Sequence, residues 1–300
     1  MDLQLYRLKF YRALFGEGSL LEVEPLFTAN RLFSALFIEA QKLNLDQDLM
    51  VLASKGNLQI SNAMFYLDPD QLFLPKPIGY PKRSHHSSDD AVEDRQNAKA
   101  LKKLSAIRFD DFDEFVAGEI EIISDLLEEE KPLYQTDYVT RKGEDPYRVY
   151  YTSYQAELAV IMAKDPLIEE LMHHLQYSGL GGKRSSGYGR FELTVGALSQ
   201  EIADRIVVES QEPVMLLNNA LPRPEEMNQA LEEGHYLVKR SGGYAYSKQT
   251  DFYRKQDFYS LKAGSTFKKT FKGKIFDVAP DDIDHPVYHY AQPLFFRLEG

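Results

Sequence analysis

Residues 165–198 read DPLIEELMHHLQYSGLGGKRSSGYGRFELTVGAL and combine three local signals in a row. The first part predicts a short helix, because Asp165 is a good N-cap and Pro166 suits the first helical position. The last part, FELTVGAL, predicts a strand. Between them, residues 176–191 hold five glycines and three cations in sixteen positions. A simple turn needs only one or two glycines, so this surplus favours a functional loop.

The composition of the loop is typical of a phosphate-binding site. Glycines let a backbone approach an anion and present successive amides to it. Arg184 and Arg190 can fork onto phosphate oxygens, and Lys183 adds a point charge. Two serines add neutral donors, and Tyr188 is predicted to stack on a base. Single-stranded RNA fits this set, while a mobile surface turn with incidental cations is the alternative.

Two nucleotide-cofactor motifs do not match this loop. A Walker A loop needs Ser or Thr where Arg184 stands and its leading glycine where Tyr177 stands. A dinucleotide fingerprint needs a third glycine at Arg184 and a strand, rather than a helix, before the loop. No nucleotide cofactor is therefore expected.

The chain before this stretch predicts the rest of an α+β unit. Residues 3–15 alternate and predict a strand, and TANRLFSALFIEAQKL has the apolar spacing of a helix, capped by Thr28 or Asn30. Residues 58–66 predict a second strand, and the long Tyr- and Val-rich run 147–163 predicts a third.

These elements follow the β-α-β-β-α-β order of the ferredoxin-like fold, which RNA-recognition motifs also use. Prolines are expected to restrict the extended segment 72–78 to a sheet edge. Residues from about 80 to 146 have a weaker pattern and are interpreted as an insertion. The first domain is predicted to span 1–198, and 199–300 to form a β-rich, degenerate ferredoxin-like second domain.

Composition limits the class of protein. The chain has 300 residues, 43% of them hydrophobic, which is ample for a packed core. It has no cysteine, which excludes disulfides and thiolate metal sites. The N-terminal stretch lacks the apolar centre of a signal peptide, and no apolar run is long enough to span a bilayer, so a cytoplasmic location is expected.

Charge is segregated along the chain, although the formal net charge is −11. Residues 109–130 hold ten acids and no cation, and residues 239–274 hold ten cations against two acids. The acidic run is interpreted as a solvated helix face, with a surface for a basic protein as the alternative. The basic region interleaves aromatic and cationic residues, as proteins that bind single-stranded nucleic acid do. The alternative interpretation of this region is a solvated basic face.

Further candidates lie outside the loop. Residues 74–83 combine rigid prolines with Lys76, Tyr80 and Lys82, so they predict either one wall of an RNA groove or a stiff linker. Arg31 stands in the first turn of a helix, where a cation opposes the helix dipole, and this can mark an anion site. The two adjacent histidine pairs cannot chelate a metal by themselves, and no structural zinc site is expected.

The loop and several other segments together resemble a known family. YSGLGGKRSSGYGRFEL resembles the glycine-rich loop of RAMP proteins, the RNA-binding subunits of CRISPR effectors. The ordered set of other segments resembles the fourth-subunit family of the type III-A Csm complex: FTANRLFSAL, FLPKPIGYPK, NALP, EEGHYLVKRSGGYAYS, YRKQDFYSLKAGSTF and YAQPLFFRLE. The resemblance runs from about residue 5 to the C-terminus and is weakest over 84–146.

This resemblance implies a non-catalytic subunit at the foot of the assembly, where it would grip the repeat-derived 5′ tag of the CRISPR RNA. The implied partners are the large polymerase-like subunit with its Palm and HD domains and the backbone RAMP subunit of the Csm complex. Residues Gly264, Ser265 and Thr266 match a recurring turn of the family. The full set of predicted RNA-binding residues is Arg31, Lys76, Tyr80, Lys82, Gly179, Gly181, Gly182, Lys183, Arg184, Ser185, Ser186, Gly187, Tyr188, Arg190, Arg240, Arg254, Lys255, Gly264, Ser265 and Thr266.

Two other functions remain open at this point. A metal-independent endoribonuclease that processes CRISPR RNA would share the fold and the loop, with His86 or His174 as its general base. A pure protein-interaction scaffold, in which the basic tracts are incidental, would show no salt-dependent RNA affinity, whereas an RNA-binding subunit would lose affinity at high salt as counterions are released.

Overall fold

The computed structural model describes residues 2–16, 23–81, 91–141, 147–246, 252–281 and 283–299. The helices are α1 (Ala29–Leu43), α2 (Asp46–Ser54), α3 (Ala91–Lys103), α4 (Phe112–Ala117), α5 (Ile123–Glu130), α6 (Pro166–Ser178), α7 (Gln200–Arg205) and α8 (Met227–Leu231). Single 3-10 turns occur at Phe109–Asp111, Lys131–Leu133, Arg184–Ser186 and Pro224–Glu226. No helix in this part of the chain is both long and apolar enough to cross a membrane.

The strands before the glycine-rich loop are β1 (Leu3–Phe10), β2 (Arg12–Ala13), β3 (Met64–Leu67), β4 (Gln71–Pro75), β5 (Ala106–Arg108), β6 (Tyr134–Arg141), β7 (Tyr147–Tyr154) and β8 (Glu157–Ala163). The strands after it are β9 (Phe191–Ala197), β10 (Ile206–Val207), β11 (Val214–Leu216), β12 (Val238–Ser241), β13 (Tyr244–Tyr246), β14 (Phe252–Arg254), β15 (Phe258–Leu261), β16 (Thr266–Phe267), β17 (Ile275–Asp277), β18 (Tyr288–Tyr290) and β19 (Phe295–Arg297). The protein is therefore of mixed α+β class, as predicted.

The largest sheet is antiparallel, with its six strands in the order β5-β4-β3-β8-β1-β9. Side chains alternate across it, so Tyr6 and Leu8 of β1 pack with α1 and α6 on one face. Leu5 points to the other face, where it joins a cluster with Met215 and Phe296 from the second half of the chain. The two halves thus share a core through the sheet.

The helix predictions are confirmed at their caps. The Thr28 hydroxyl accepts from the Arg31 amide at the start of α1, and the Asp165 carboxylate accepts from Leu167 at the start of α6. Pro166 occupies the first turn of α6. These caps form between near neighbours in sequence, which is why the pattern alone identifies them.

Four strand predictions are wrong in position or extent. The predicted strand 3–15 is divided into β1 of the main sheet and β2 of the small sheet with β7. The segment 72–78 is not at a sheet edge, because β5 from the predicted insertion pairs with β4 and covers it. The run 147–163 is two strands in two sheets, since the amides of Gln155 and Ala156 both donate to Leu133 and turn the chain. Residues 58–66 contribute a regular strand only from residue 64 onward.

The region 91–141 is more ordered than its weak pattern indicated. It adds β5 to the main sheet and forms a small core of its own around Phe115 and Leu126. Most of the acids of the run 109–130 face solvent, as a solvated face requires: Asp110, Asp113, Glu114, Glu119, Glu121, Asp125 and Glu128 are exposed. Glu130 is the buried exception and accepts from the amide and hydroxyl of Ser105.

The second half contains a four-stranded antiparallel sheet in the order β10-β19-β11-β16. Its strands are two or three residues long. A long two-stranded hairpin, hereafter the C-terminal hairpin, runs out along β12 and β13 and returns along β14 and β15. Buried Arg205 donates to the carbonyls of Arg297 and Leu298 and to the Asp113 carboxylate at 2.7 Å, which ties the region 91–141 to the C-terminal strand.

Candidate nucleic-acid interface

The glycine-rich loop is attached to the chain that follows β1. The amide of Gly189 donates to the carbonyl of Arg12 at 2.8 Å, and the amide of Gly182 donates to that of Leu14 at 2.8 Å. Within the loop, the amide of Leu180 donates to the carbonyl of Gly189 at 2.8 Å. The loop backbone is therefore held at both ends, unlike a mobile surface turn.

The glycines have a different role from the one predicted. A Cβ on Gly181 would lie 2.6 Å from the Leu14 carbonyl oxygen, and one on Gly189 would collide with the Leu180 carbonyl oxygen. The amides of Gly179, Gly182, Gly187 and Gly189 all donate to carbonyls of the protein itself. These glycines permit close packing of the loop on its own chain, and their amides do not form an anion-binding nest.

The polar side chains of the loop project from this fixed backbone. Lys183, Arg184, Ser185, Ser186 and Arg190 are exposed. The Lys183 backbone adopts the left-handed conformation (φ 55°), which starts the 3-10 turn Arg184–Ser186. Three cations thus surround a rigid turn, which is the arrangement that binding a polyanion requires.

Tyr188 does not have the predicted base-stacking role. Its side chain is only 8% exposed, and its ring lies 5.6 Å from that of Tyr151. Tyr188 therefore packs the loop against β7. The sequence pattern cannot separate a buried tyrosine from an exposed one when both stand among glycines.

Arg31 lies beside the loop. Its guanidinium donates to the Gly16 carbonyl at 2.5 Å and lies 6.0 Å from the centroid of the Phe15 ring. The same ring is in contact range of Gly181, where an added Cβ would meet it at 3.0 Å. The structure therefore brings Arg31 to the loop, although the two are far apart in sequence.

Tyr11 is a candidate residue that sequence reasoning missed. It follows β1, is 78% exposed and has the Arg12 guanidinium 5.1 Å from its ring centroid. Phe10 and Phe191 are the last pair of their ladder, and Tyr11 and Arg190 are the residues that come next on the two chains. The signal was an aromatic-cation pair directly after an apolar strand.

A second missed surface is the hairpin of β6 and β7, which joins β2 in a small sheet. Residues 135–140 of β6 are all exposed, so this strand presents both faces to solvent. On one face the Arg148 guanidinium lies 4.6 Å from the ring centroid of Tyr138, and the Tyr138 and Tyr150 rings are 5.4 Å apart. Because β2 also carries the glycine-rich loop, this aromatic and cationic hairpin adjoins the loop.

A different group of predicted residues meets where the segment after β4 crosses the turn before β16. The Ile78 amide donates to the Gly264 carbonyl at 2.7 Å, and the Thr266 hydroxyl donates to the Ile78 carbonyl at 2.8 Å. Lys76 is partly buried and donates to the Leu101 carbonyl, and burial lowers its pKa. Tyr80 is half-buried nearby in sequence, and Lys82 lies outside the described residues.

Gly264, Ser265 and Thr266 are buried and serve this junction, which corrects their predicted role as RNA contacts. Ser265 is fully buried and its hydroxyl donates to the Lys262 carbonyl at 2.6 Å. Gly264 has φ +89° and packs directly against the Lys76 carbonyl oxygen. The Gly264 carbonyl and the Thr266 hydroxyl join the two halves of the chain, the Ser265 hydroxyl closes the turn on Lys262, and none of these groups is available to a ligand.

The C-terminal hairpin holds Arg240, Arg254 and Lys255. Both arginines are exposed, and both contact the carboxylate of Asp257. Its exposed aromatics, Tyr244 and Tyr259, are cross-strand partners of Arg254 and Arg240 respectively. The predicted interleaving of aromatics and cations is therefore present on the surface.

The histidines form no metal site in the part of the chain described. His173 and His174 are exposed on α6, and His173 lies 3.9 Å from Glu169. No group of three or more potential metal-ligating side chains comes together among the described residues. His86, one of the two predicted general bases, lies outside them.

The protein is thus an α+β protein whose two halves share a core and whose glycine-rich loop carries exposed cations on a fixed backbone. Residues 209–298 match the sequence model of the family described as CRISPR Csm4 C-terminal domain. The chain is 42% identical over its full length to the Streptococcus thermophilus protein described as CRISPR system Cms protein Csm4, and it also covers all of that protein. A Mycobacterium tuberculosis protein of the same description is 31% identical, with 99% of this chain and 98% of that protein covered. The chain belongs to the Csm4 family.

Solved structures show the same fold. A chain in the crystal structure of the Csm3-Csm4 subcomplex of the type III-A CRISPR-Cas interference complex superposes with a TM-score of 0.64 at 19% identity, covering 98% of both chains. A chain of the Csm1-Csm4 cassette in complex with pppApA gives a TM-score of 0.57 at 17% identity, covering 99% of this chain and 98% of that one.

Proposed function

We propose that this protein is a non-catalytic RNA-binding subunit of a type III-A CRISPR effector complex, which clamps the 5′ repeat-derived tag of the CRISPR RNA. Its proposed neighbours are the large polymerase-like subunit and the backbone RAMP subunit of the Csm complex. Family membership supports this, because Csm4 proteins have been crystallised with Csm3 and with Csm1.

The proposed architecture is two ferredoxin-like units, 1–198 and 199–300. In the first, the strands that flank the two helices have the spatial order β9-β1-β8-β3, which is 4-1-3-2 in the order of the motif. In the second unit, the strands β19-β11-β16 have the spatial order 4-1-3 of the same motif. We therefore infer that the second unit is a degenerate copy of the ferredoxin-like motif. The sheet of the first unit would then carry the glycine-rich loop between its second helix and its fourth strand.

The observation that carries the proposal is the contrast within the loop between a fixed backbone and exposed cations. Backbone hydrogen bonds hold Gly182 and Gly189 on the chain after β1, while Lys183, Arg184 and Arg190 are exposed. Because the backbone is already ordered, phosphate binding orders only the side chains of these cations and costs no further backbone entropy. Tyr11, next to Arg190, supplies an exposed ring on which a base would stack.

Packing and ion-pair contacts link this loop to the C-terminal hairpin. Phe15 contacts the loop and pairs with Glu24, whose carboxylate accepts from Lys239 at the base of the C-terminal hairpin. We propose that single-stranded RNA follows this path, contacting the loop first and the exposed arginines of the hairpin next.

The test uses the protein co-expressed with the large subunit and a labelled single-stranded RNA of the repeat-tag sequence. Wild type is compared with Lys183→Ala/Arg184→Ala at two salt concentrations. We expect the double variant to weaken binding at least tenfold and to flatten the dependence of log K on log salt by about 1.4, two contacts at ~0.7 each. Lys102→Ala/Lys103→Ala, in the last turn of α3, removes the same charge elsewhere and serves as the matched control.

Each other result contradicts part of the proposal. Equal weakening by both double variants would mean that only net charge matters, and undiminished binding would reduce the loop to a turn. The RNA is also run on a denaturing gel. Cleavage that disappears in His174→Ala would favour the processing endoribonuclease over the clamp.

A further inference from the structure

The C-terminal hairpin is bent by a bulge. Ser241 pairs with Phe258, and Tyr244 pairs with Arg254, so two residues on the outgoing strand face three on the returning one. The Lys255 amide donates to the Gly243 carbonyl at 3.1 Å inside this interruption. Bulges redirect side chains and increase local twist, and they are frequent beside functional sites.

The bulge directs two arginines toward one carboxylate oxygen. Arg240, from the inner part of the hairpin, lies 2.7 Å from Oδ2 of Asp257, and Arg254, from the outer part, lies 3.5 Å from the same oxygen. The arginine side chains are 55% and 62% exposed, whereas Asp257 is 29% exposed. Each guanidinium has five N–H donors, so most donors of both arginines are left for an outside acceptor.

A glycine makes room for this carboxylate. A Cβ on Gly242 would lie 2.8 Å from Oδ1 of Asp257, closer than real Cβ contacts. Any other residue at this position would push the carboxylate away from the arginines. The arrangement of Asp257 between the two arginines therefore depends on Gly242. This glycine leaves space for a carboxylate of the protein itself, rather than for a phosphate of a ligand.

This inference rests on the proposed RNA-binding function. We infer that Arg240 and Arg254 form a subsite for an RNA backbone phosphate, and that in the free protein the Asp257 carboxylate occupies it as an internal competitor. A carboxylate and a phosphodiester are both anionic oxygen acceptors that match the guanidinium fork. The arginines are already converged for an anion, and RNA binding exchanges one anion for another.

The exchange is inexpensive, because ion pairs that are partly exposed contribute little to stability. Loss of the internal competitor should then strengthen RNA binding. This sign separates competition from the alternative in which Asp257 holds the arginines in place, since loss of a positioning group would weaken binding.

The experiment measures binding of the labelled repeat-tag RNA to the complex with Asp257→Asn, which keeps the shape of the side chain. We expect affinity at low salt to rise about two- to fivefold, since the competing ion pairs are of the weak, exposed kind. We also expect the salt dependence to steepen by about 0.7, one additional phosphate contact. Glu201→Gln, an exposed acid on α7, removes the same charge away from the arginines and should change affinity less than twofold.

Two further variants make the result specific. In an Arg240→Gln/Arg254→Gln background, Asp257→Asn should give no gain. Gly242→Ala should also raise affinity, because its methyl group displaces the carboxylate, and this variant leaves Asp257 in the chain. Thermal unfolding of each variant identifies any that does not fold.

The outcomes of the two proposals are distinguishable. If wild type shows no salt-sensitive RNA binding, the proposed function fails. If wild type binds and the loop variant loses binding, but Asp257→Asn leaves affinity unchanged or lowers it, only the competitor inference fails. A gain that persists without the two arginines would also overturn it.

Discussion

Ile78 and Gly264 are joined by a hydrogen bond of 2.7 Å from the amide of the first to the carbonyl of the second, although they lie in opposite halves of the chain. The Thr266 hydroxyl completes the contact by donating back to the Ile78 carbonyl at 2.8 Å. Both segments were predicted as RNA contacts, and the structure uses them to hold the two halves together. A motif that is important for a fold can thus resemble one that binds a ligand.

The junction predicts a large cost for Gly264→Ala. The new Cβ would collide with the Lys76 carbonyl oxygen, and the backbone there has φ +89°. Gly187→Ala is the matched control, because its φ is +88° and nothing lies within 4 Å of the added Cβ. The left-handed backbone should lower the free energy of unfolding of both variants by about 1 kcal/mol. The clash should lower that of Gly264→Ala by a further ~1–3 kcal/mol.

Urea unfolding of the two variants measures the difference. Equal losses of unfolding free energy in the two variants would show that the junction accommodates the added methyl group without strain. That result would contradict the role given to the Gly264 contact.

Gly187→Ala is also the control for the glycine-rich loop, where it tests whether the glycines act by packing the loop on its own chain. Gly189→Ala should displace the loop, because its Cβ would collide with the Leu180 carbonyl oxygen. We expect RNA affinity to fall about tenfold or more, since misplaced cations lose their preorganisation. Gly187→Ala, in open space, should keep most of the affinity, and a reversed order of the two variants would contradict the assigned geometry.

Tyr11 offers a test of stacking without a change of charge. Tyr11→Ala removes a ring that is 78% exposed, so stability should change little. If a base stacks there, RNA affinity should fall by about 1–3 kcal/mol, whereas Tyr11→Phe should retain it. Fluorescence titration measures the RNA affinity of both variants. Equal affinities for wild type and Tyr11→Ala would exclude stacking of a base on Tyr11.

His289 makes stability depend on pH. Burial, together with the charge of Lys255, lowers the pKa of His289 to about 3, and its Nδ1 atom has no hydrogen-bond partner among the described residues. In the unfolded chain a histidine titrates near pH 6.5, so between these values the unfolded state binds the extra proton. The contribution of His289 to the free energy of unfolding is therefore fully present above pH 6.5. It decreases as the pH falls, by roughly 2 kcal/mol between pH 7 and pH 5.

His289→Phe tests this directly. The ring centroids of His289 and Phe258 lie 4.0 Å apart, and phenylalanine keeps a ring at this contact. The variant should lose less stability than wild type on acidification, measured by urea unfolding at pH 7 and pH 5. The carboxylates contribute equally to both proteins, so parallel pH profiles would show that His289 is not the group responsible.

Contacts between near neighbours were predictable. The caps of α1 and α6, the position of β9 and the helix-loop-strand order around residue 180 all follow from residues within a few positions of one another. The pairing of distant segments was not predictable. Residues 147–163 have one continuous strand-like composition, yet they are divided between two sheets at Gln155 and Ala156, whose amides both donate to the distant Leu133 carbonyl.

The candidate site divides in the same way. The amino-acid sequence alone determined the helix caps, the α+β order and the clustering of Lys183, Arg184 and Arg190 on a glycine-rich loop, because propensity and capping act over a few residues. Only the tertiary structure decided which side chains are available. It buried Tyr188 and Ser265, placed Arg31 and Tyr11 beside the loop and set Asp257 between two arginines. Exposure and ion pairing depend on the neighbours that packing of the two halves brings together, and those neighbours are distant in sequence.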